Sequence, residues 1–309
     1  MDRIGVEVTR RPALYQPIFI DGWGDVDAVP QACPGAALGI VEARSLRSST
    51  PQRLVQELRF ESPLACHLPP AARMVNARVT CPDGATRLVV LFAAFNDHGY
   101  ASRTKLADAL ADRGVAAAII EAPFYGKRRT HPGQVVRTVA DLLTLGAGTV
   151  TEGIGLARWF ATEGWELGFS GYSMGGSMAA YAAAAMRDQT VAVAPIAAAY
   201  SPSVVYVEAV LSSGVAWHRL RPNGPDRLHE VLDSVSVLEL PPLPHPQVAV
   251  LLAAERDGYV PFSATERLAD HWDGCDLRVV AGGHASLMRR RDLQSQVIVD
   301  SFARLATVS

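Results

Sequence analysis

The feature that most restricts the fold of this chain is a short apolar run ending in Gly171-Tyr172-Ser173-Met174-Gly175-Gly176 and passing directly into the alanine-rich segment Ser177-Met178-Ala179-Ala180-Tyr181. The run has the length of a buried strand, and the alanine-rich segment has the composition of a helix. Joining the two by so tight a turn requires neighbours without bulk and backbone angles that glycine tolerates best, which Gly171 and Gly175 supply. A chance Gly-x-Ser-x-Gly before a helix would look the same locally. The weight of the motif therefore depends on the rest of the chain.

The same alternation recurs. The apolar runs Arg87–Ala94, Val115–Ile120 and Gln247–Ala254 read as buried strands of a parallel sheet, and Thr190–Pro195 and Leu277–Ala281 as further strands. Helical patterns fill the intervals at Ser102–Arg113, Gln134–Thr162, Gly176–Arg187, Phe262–His271 and Ser286–Leu305. This predicts an α/β architecture with a mostly parallel central sheet flanked by helices. Val55–Phe60 and Arg73–Thr80 alternate apolar with polar residues, as two antiparallel edge strands would. Hydrophobic residues make up 49% of the 309 and charged residues 19%, enough for a large core. Residues 1–55, punctuated by proline, read as an N-terminal extension packed on the domain of residues 56–309, with a short helix around Ala36–Ala43. The segment 200–246 breaks the rhythm. It reads either as a helical cap over a pocket or as a plain pair of packing helices.

Several classes of function are disfavoured. The formal net charge of −2 gives no footprint for nucleic acid. No run approaches the ~18 apolar residues of a membrane helix, and the first residues carry no signal-peptide core. Cys33, Cys66, Cys81 and Cys275 are scattered, which suits free thiols in a reducing, cytoplasmic setting better than a disulfide frame or zinc site. Nothing implies a metal or organic cofactor.

A serine hydroxyl is a weak nucleophile until a base takes its proton, and the base works best when a carboxylate holds its imidazolium. Asp257 follows the strand ending at Ala254, with Glu255 as the alternative acid. His284 follows the strand ending at Ala281, flanked by Gly282 and Gly283. Each lies at the carboxyl edge expected of such a sheet, after Ser173 and in the order Ser, Asp, His. The two amides of an oxyanion hole are assigned to Met174, at the start of its helix, and Phe95, in the loop after Ala94, with Asn96 next in line. His98 falls near the same loop.

With these parts the sequence resembles the α/β-hydrolase superfamily over about residues 55–309. Glu121-Ala122-Pro123-Phe124-Tyr125-Gly126-Lys127-Arg128-Arg129 and Gly171-Tyr172-Ser173-Met174-Gly175-Gly176 together are similar to the group named after α/β-hydrolase domain-containing protein eighteen. Phe95-Asn96-Asp97-His98 echoes a strand-end stretch of that group, with Phe95 where a small polar residue is usual. The resemblance implies serine hydrolase chemistry on an ester or acyl bond of a small molecule or lipid. Asn96, Tyr125, Arg128 and Tyr172 are the candidate substrate contacts. For the Tyr125–Arg129 loop two readings stand: a pocket wall whose Arg128 or Arg129 holds a carboxylate or phosphate, or a turn with solvated arginines. The alternatives to an esterase are an amidase, peptidase or acyltransferase with the same residues, and a binding protein that kept the fold.

Overall fold

A computed structural model of the chain describes residues 17–46, 52–133 and 135–308. Nine strands in these segments form one sheet in the order β1-β2-β3-β5-β4-β6-β7-β8-β9. They are β1 (Ile40–Leu46), β2 (Arg53–Glu61), β3 (Met74–Pro82), β4 (Arg87–Phe92), β5 (Val115–Ile120), β6 (Glu166–Tyr172), β7 (Ala192–Ile196), β8 (Val250–Ala254) and β9 (Asp276–Val280). The run β5-β4-β6-β7-β8-β9 is parallel, while β1, β2 and β3 extend it antiparallel. The fold is that of an α/β-hydrolase. The expected helix around Ala36–Ala43 does not form. Gly35 and Gly39 disfavour one, and Ile40–Leu46 instead covers the outer edge of β2 as a strand. Residues 1–16, the start of the expected extension, lie outside the described residues.

Helices α1 (Ala101–Ala111), α2 (Val139–Thr162), α3 (Met174–Ala185), α4 (Gly224–Asp233), α5 (Phe262–His271), the single turn α6 (His284–Leu287) and α7 (Arg291–Leu305) complete the regular elements. Leu106 and Leu110 of α1 and Val297, Ile298 and Phe302 of α7 pack on one sheet face. Val150, Ile154 and Ala157 of α2, Ala179, Ala180 and Ala183 of α3, and Leu268 of α5 pack on the other. β4, β5, β7 and β8 are buried almost throughout, which is why they read as apolar runs, whereas β9 at the sheet edge carries Asp276 and Arg278 and leaves Val279 exposed. The segment expected as one helix over 286–305 is split before Arg291. The Gln294 side chain closes the break by donating to the carbonyls of Leu287 and Met288 at 2.9 and 3.2 Å.

The insertion between β7 and β8 is cap-like, but it is not a pair of long helices. It consists of a π-helical turn at Val204–Glu208, several 3-10 turns and α4. Tyr206, Leu211, Leu228 and Leu232 share a core with Ile18 and Phe19 from the start of the described chain and with Phe124, Tyr125 and Val136. The N-terminal segment is stitched in by hydrogen bonds from Ile18 to Gly214 and from Ala216 to Ile18, both at 2.9 Å. The cap therefore sits over the carboxyl ends of β4 and β5.

Candidate active site

β6 ends at Tyr172 and α3 begins at Met174, so Ser173 alone makes the turn. Its backbone stands at φ 58, ψ −122, a region that costs a side-chain-bearing residue about 1–3 kcal/mol. Close packing holds it there. Its amide donates to the Ile196 carbonyl at 2.8 Å. A Cβ on Gly171 would lie 2.5 Å from the Gly175 backbone, and one on Gly175 would lie 2.5 Å from the Phe92 carbonyl oxygen. Both glycines are required by close approach, and the second sets α3 against the end of β4.

The loops after β8 and β9 bring their side chains to this turn. Ser173 Oγ lies 3.0 Å from His284 Nε2, and His284 Nδ1 lies 2.6 Å from Asp257 Oδ2. The other carboxylate oxygen, Asp257 Oδ1, accepts from the amides of Tyr259 and Val260 at 2.9 and 2.8 Å. Only 2% of the Asp257 side chain is exposed, so these three donors must compensate for its lost hydration. The imidazole is held on two sides. Tyr172 donates its hydroxyl to the His284 carbonyl at 2.7 Å and packs its ring 4.7 Å from the imidazole, and Tyr259 stacks at 5.1 Å. Ser173, His284 and Asp257 thus form one hydrogen-bonded chain. Glu255, the alternative acid, is exposed and outside it.

The loop after β4 is a turn closed by Asp97 N–H donating to the Ala94 carbonyl at 3.0 Å. Among the described residues, no group accepts from the amides of Phe95 and Met174. The Asn96 amide is committed, donating to Tyr125 Oη at 3.0 Å. The Phe95 ring meets Tyr206 of the cap edge-on at 5.9 Å, which explains a large apolar residue at this position. His98 packs its ring 4.7 Å from that of Tyr125.

Other placements differ from expectation. Arg128 is neither a pocket-wall cation nor a solvated one. It has 0% exposure and meets both oxygens of Glu152 at 2.6 and 2.7 Å, along with the carbonyls of Ala72 and Glu121. A guanidinium so enclosed is neutralised by its own protein and has no face left for a substrate. Arg129 closes its own loop by donating to the carbonyls of His131, Pro132 and Gly133. Tyr125 is fully buried. Tyr172 supports His284 and also lines a neighbouring cavity of about 350 Å³ with Phe95, Asn96, Arg103, Met288 and Arg291; neither Ser173 nor His284 lines it.

Arg103 is the residue sequence reasoning passed over. It shares the buried stripe of α1 with Leu106 and Leu110, and its guanidinium donates to Asp97 at 2.9 Å and to the carbonyls of Leu91, Ile120 and Gly99 at 3.1, 2.5 and 2.7 Å. Burial lowers it from the ordinary arginine value, against the pull of Asp97. An arginine on an apolar stripe at i, i+3, i+7 was the available signal. Among the described residues no group of three or more His, Cys, Asp or Glu could hold a metal, and no helix is long and apolar enough to cross a membrane.

Comparison with known proteins agrees with this architecture. The chain matches the family described as alpha/beta hydrolase domain containing 18 over residues 16–236 and 225–304. Among solved structures it is similar to acetyl xylan esterase 1 from a Thermoanaerobacterium species, with TM-score 0.61 and 13% identity over 90% of this chain and 91% of that one. It is also similar to the acetyl xylan esterase from Paenibacillus sp. R4, with TM-score 0.61 and 13% identity over 82% and 89%. Est1E from Butyrivibrio proteoclasticus, solved with ferulic acid bound, gives TM-score 0.56 and 17% identity over 74% and 96%. At these identities the likeness is one of fold.

Proposed function

This chain belongs to the alpha/beta hydrolase domain containing 18 family, and from that premise we propose that it is a serine esterase working through an acyl-enzyme. The observation that carries the reading is the continuous chain from Ser173 Oγ to His284 to Asp257, at 3.0 and 2.6 Å. His284 Nε2 takes the hydroxyl proton as Oγ attacks the ester carbonyl carbon. Asp257 holds Nδ1–H, fixing the tautomer and stabilising the imidazolium. Charge then builds on the carbonyl oxygen, which the amides of Met174 and Phe95 receive. The start of α3 adds favourable potential at Met174. One such donor is worth about 2.7–4 kcal/mol in the transition state. The carbon–oxygen bond to the alcohol breaks as His284 returns the proton to it. Water, deprotonated by His284, then releases the acid and restores Ser173.

The ester, of a small molecule or a lipid, is favoured over an amide because two of the similar folds carry esterase names. The four free cysteines suit a cytoplasmic setting. The test is fluorophosphonate labelling of the wild type beside Ser173→Ala, with p-nitrophenyl esters of graded acyl length. Labelling and turnover lost in Ser173→Ala are expected. Equal labelling of both proteins would remove Ser173 as nucleophile. Absence of labelling and turnover in both would favour a binding protein. Faster turnover of matched anilides, or transfer to an added alcohol, would favour an amidase or acyltransferase.

A further inference from the structure

Arg103 is a buried cation beside the site that the chemistry above leaves without a role. It lies on the apolar stripe of α1 and is only 6% exposed, and a guanidinium is costly to take out of water unless its donors are met. Three of its four acceptors belong to one loop. Nη1 donates to the carbonyls of Leu91, near the end of β4, and of Ile120, which ends β5, at 3.1 and 2.5 Å. Nη2 donates to the Gly99 carbonyl at 2.7 Å, and Nε donates to Asp97 Oδ2 at 2.9 Å. Leu91 lies on the leg that enters the loop from β4, while Asp97 and Gly99 lie on the leg that leaves it for α1. One side chain therefore holds both legs.

Between the two legs stands the peptide that joins Ala94 to Phe95. Its carbonyl and the Phe95 N–H belong to one planar trans unit. They point in opposite directions, so a bond that fixes the carbonyl fixes the N–H as well. That bond is the one closing the turn, from Asp97 N–H to the Ala94 carbonyl at 3.0 Å. The Phe95 N–H consequently faces out of the turn, and no group among the described residues accepts it. A turn of this kind is weakly closed by itself: many lack the closing bond, and Asn96 stands at φ 61, an unfavourable value for a residue with a side chain. The bond lasts only while Asp97 stays within reach of Ala94. What tethers Asp97 is its carboxylate, in a charge-assisted bond to a guanidinium 7% exposed, with the carboxylate itself at 19%.

We infer that Asp97 and Arg103 are positioning residues for the oxyanion hole: their ion pair keeps Asp97 N–H on the Ala94 carbonyl, and through that peptide keeps the Phe95 N–H aimed at the developing charge. The inference rests on the esterase reading above. It gives the pair a part in transition-state stabilisation through the backbone, with no contact between either side chain and the substrate.

The test is Asp97→Ala, which removes the tether and keeps the N–H that closes the turn. Beside it stands Asp97→Asn, which offers Arg103 Nε a neutral acceptor of the same size. For Asp97→Ala the kcat on a p-nitrophenyl ester is expected to fall about 10–100-fold, below the full loss of one oxyanion donor, with KM within about twofold. The Ki of a trifluoromethyl ketone with the same acyl chain should rise in step with the fall in kcat/KM, because its adduct places an oxyanion in the hole. The pH profile of kcat/KM, which reports on His284, should stay where it is. Asp97→Asn should lose only about 3–10-fold, and it carries the same readouts if Asp97→Ala does not fold. Lowered Tm with unchanged kcat per fluorophosphonate-labelled site would overturn the inference and leave the esterase intact. So would a fall in kcat with an unmoved Ki, a rise in KM alone, or a displaced pH profile, since the pair would then act on the substrate or on His284. A wild type that is not labelled would overturn the esterase reading, and this inference with it.

Discussion

Arg128→Met separates a structural cation from a substrate-binding one. Arg128 and Glu152 are both 0% exposed and face each other with two contacts of 2.6 and 2.7 Å. Removing the guanidinium strands the carboxylate, and breaking a buried pair in this way costs about 3–5 kcal/mol. The carbonyls of Ala72 and Glu121 also lose donors at 2.7–2.9 Å, at about 1–3 kcal/mol for each carbonyl left dry. Water entering the space recovers part of this, so about 3–5 kcal/mol is the expected total. For a chain of this length, roughly 2 °C of Tm is lost per kcal/mol, giving a fall of about 6–10 °C. Replacing both partners, as Arg128→Met with Glu152→Leu, removes the stranded charge and should recover more than half of that loss. The assay is thermal and urea unfolding of the three proteins, with KM measured on neutral and carboxylate-bearing esters. If Arg128→Met unfolds within about 1 kcal/mol of wild type while raising KM only for the anionic ester, the pair is not desolvated and Arg128 does serve the substrate.

Three further outcomes follow from the packing. Asp257→Asn keeps the size of the side chain but offers His284 Nδ1 the wrong hydrogen-bonding partner; kcat should fall by roughly 10⁴ with unfolding little changed, and a loss under tenfold would place the acid elsewhere. Gly175→Ala puts a methyl 2.5 Å from the Phe92 carbonyl, where backbone must move; an overpacking cost of about 1–3 kcal/mol or more and loss of fluorophosphonate labelling are expected, and full labelling would refute the close approach. Burial pushes the Cys275 thiol up to about 11 and raises Cys81, whereas Cys33 and Cys66 are exposed. A raised value means less thiolate at any given pH. A disulfide reagent at pH 8 should therefore modify Cys33 and Cys66 first, and early loss of Cys275 by peptide mapping would contradict its packing.

The parts of this molecule that were legible in its sequence are those decided locally. Strands between two helical layers must be apolar at every position, so β4, β5 and β8 announce themselves. Each residue of the Ser173, Asp257, His284 chain lies just past a parallel strand, so its edge of the sheet is known before any contact is. Boundaries failed where a cap or a break is set by distant groups. Pro246 delays β8 to Val250, Gln294 seals the break before α7, and the outer edge of β2 recruits Ile40–Leu46 as a strand.

Arg128 shows what could have been read further. Charge on a surface loop usually means a solvated side chain, and read alone the Lys127-Arg128-Arg129 run suggests that or a cation on a pocket wall. Glu152 supplies the missing constraint. It stands in Val150-Thr151-Glu152-Gly153-Ile154, a stretch of α2 with small or apolar neighbours on every side and every residue buried. A carboxylate enclosed on all faces of its helix must be met by a cation from elsewhere in the chain. The cation must come from a segment near enough to reach, and the loop leaving β5 is the one that precedes this helix. Seen in that way the basic run is half of an ion pair whose other half lies 24 residues on. The residue it positions, Tyr125, becomes the informative one. A buried phenol must spend its hydroxyl on a partner, and the strand end next to β5 in the sheet is that of β4, where the turn at Asn96 has an amide to offer.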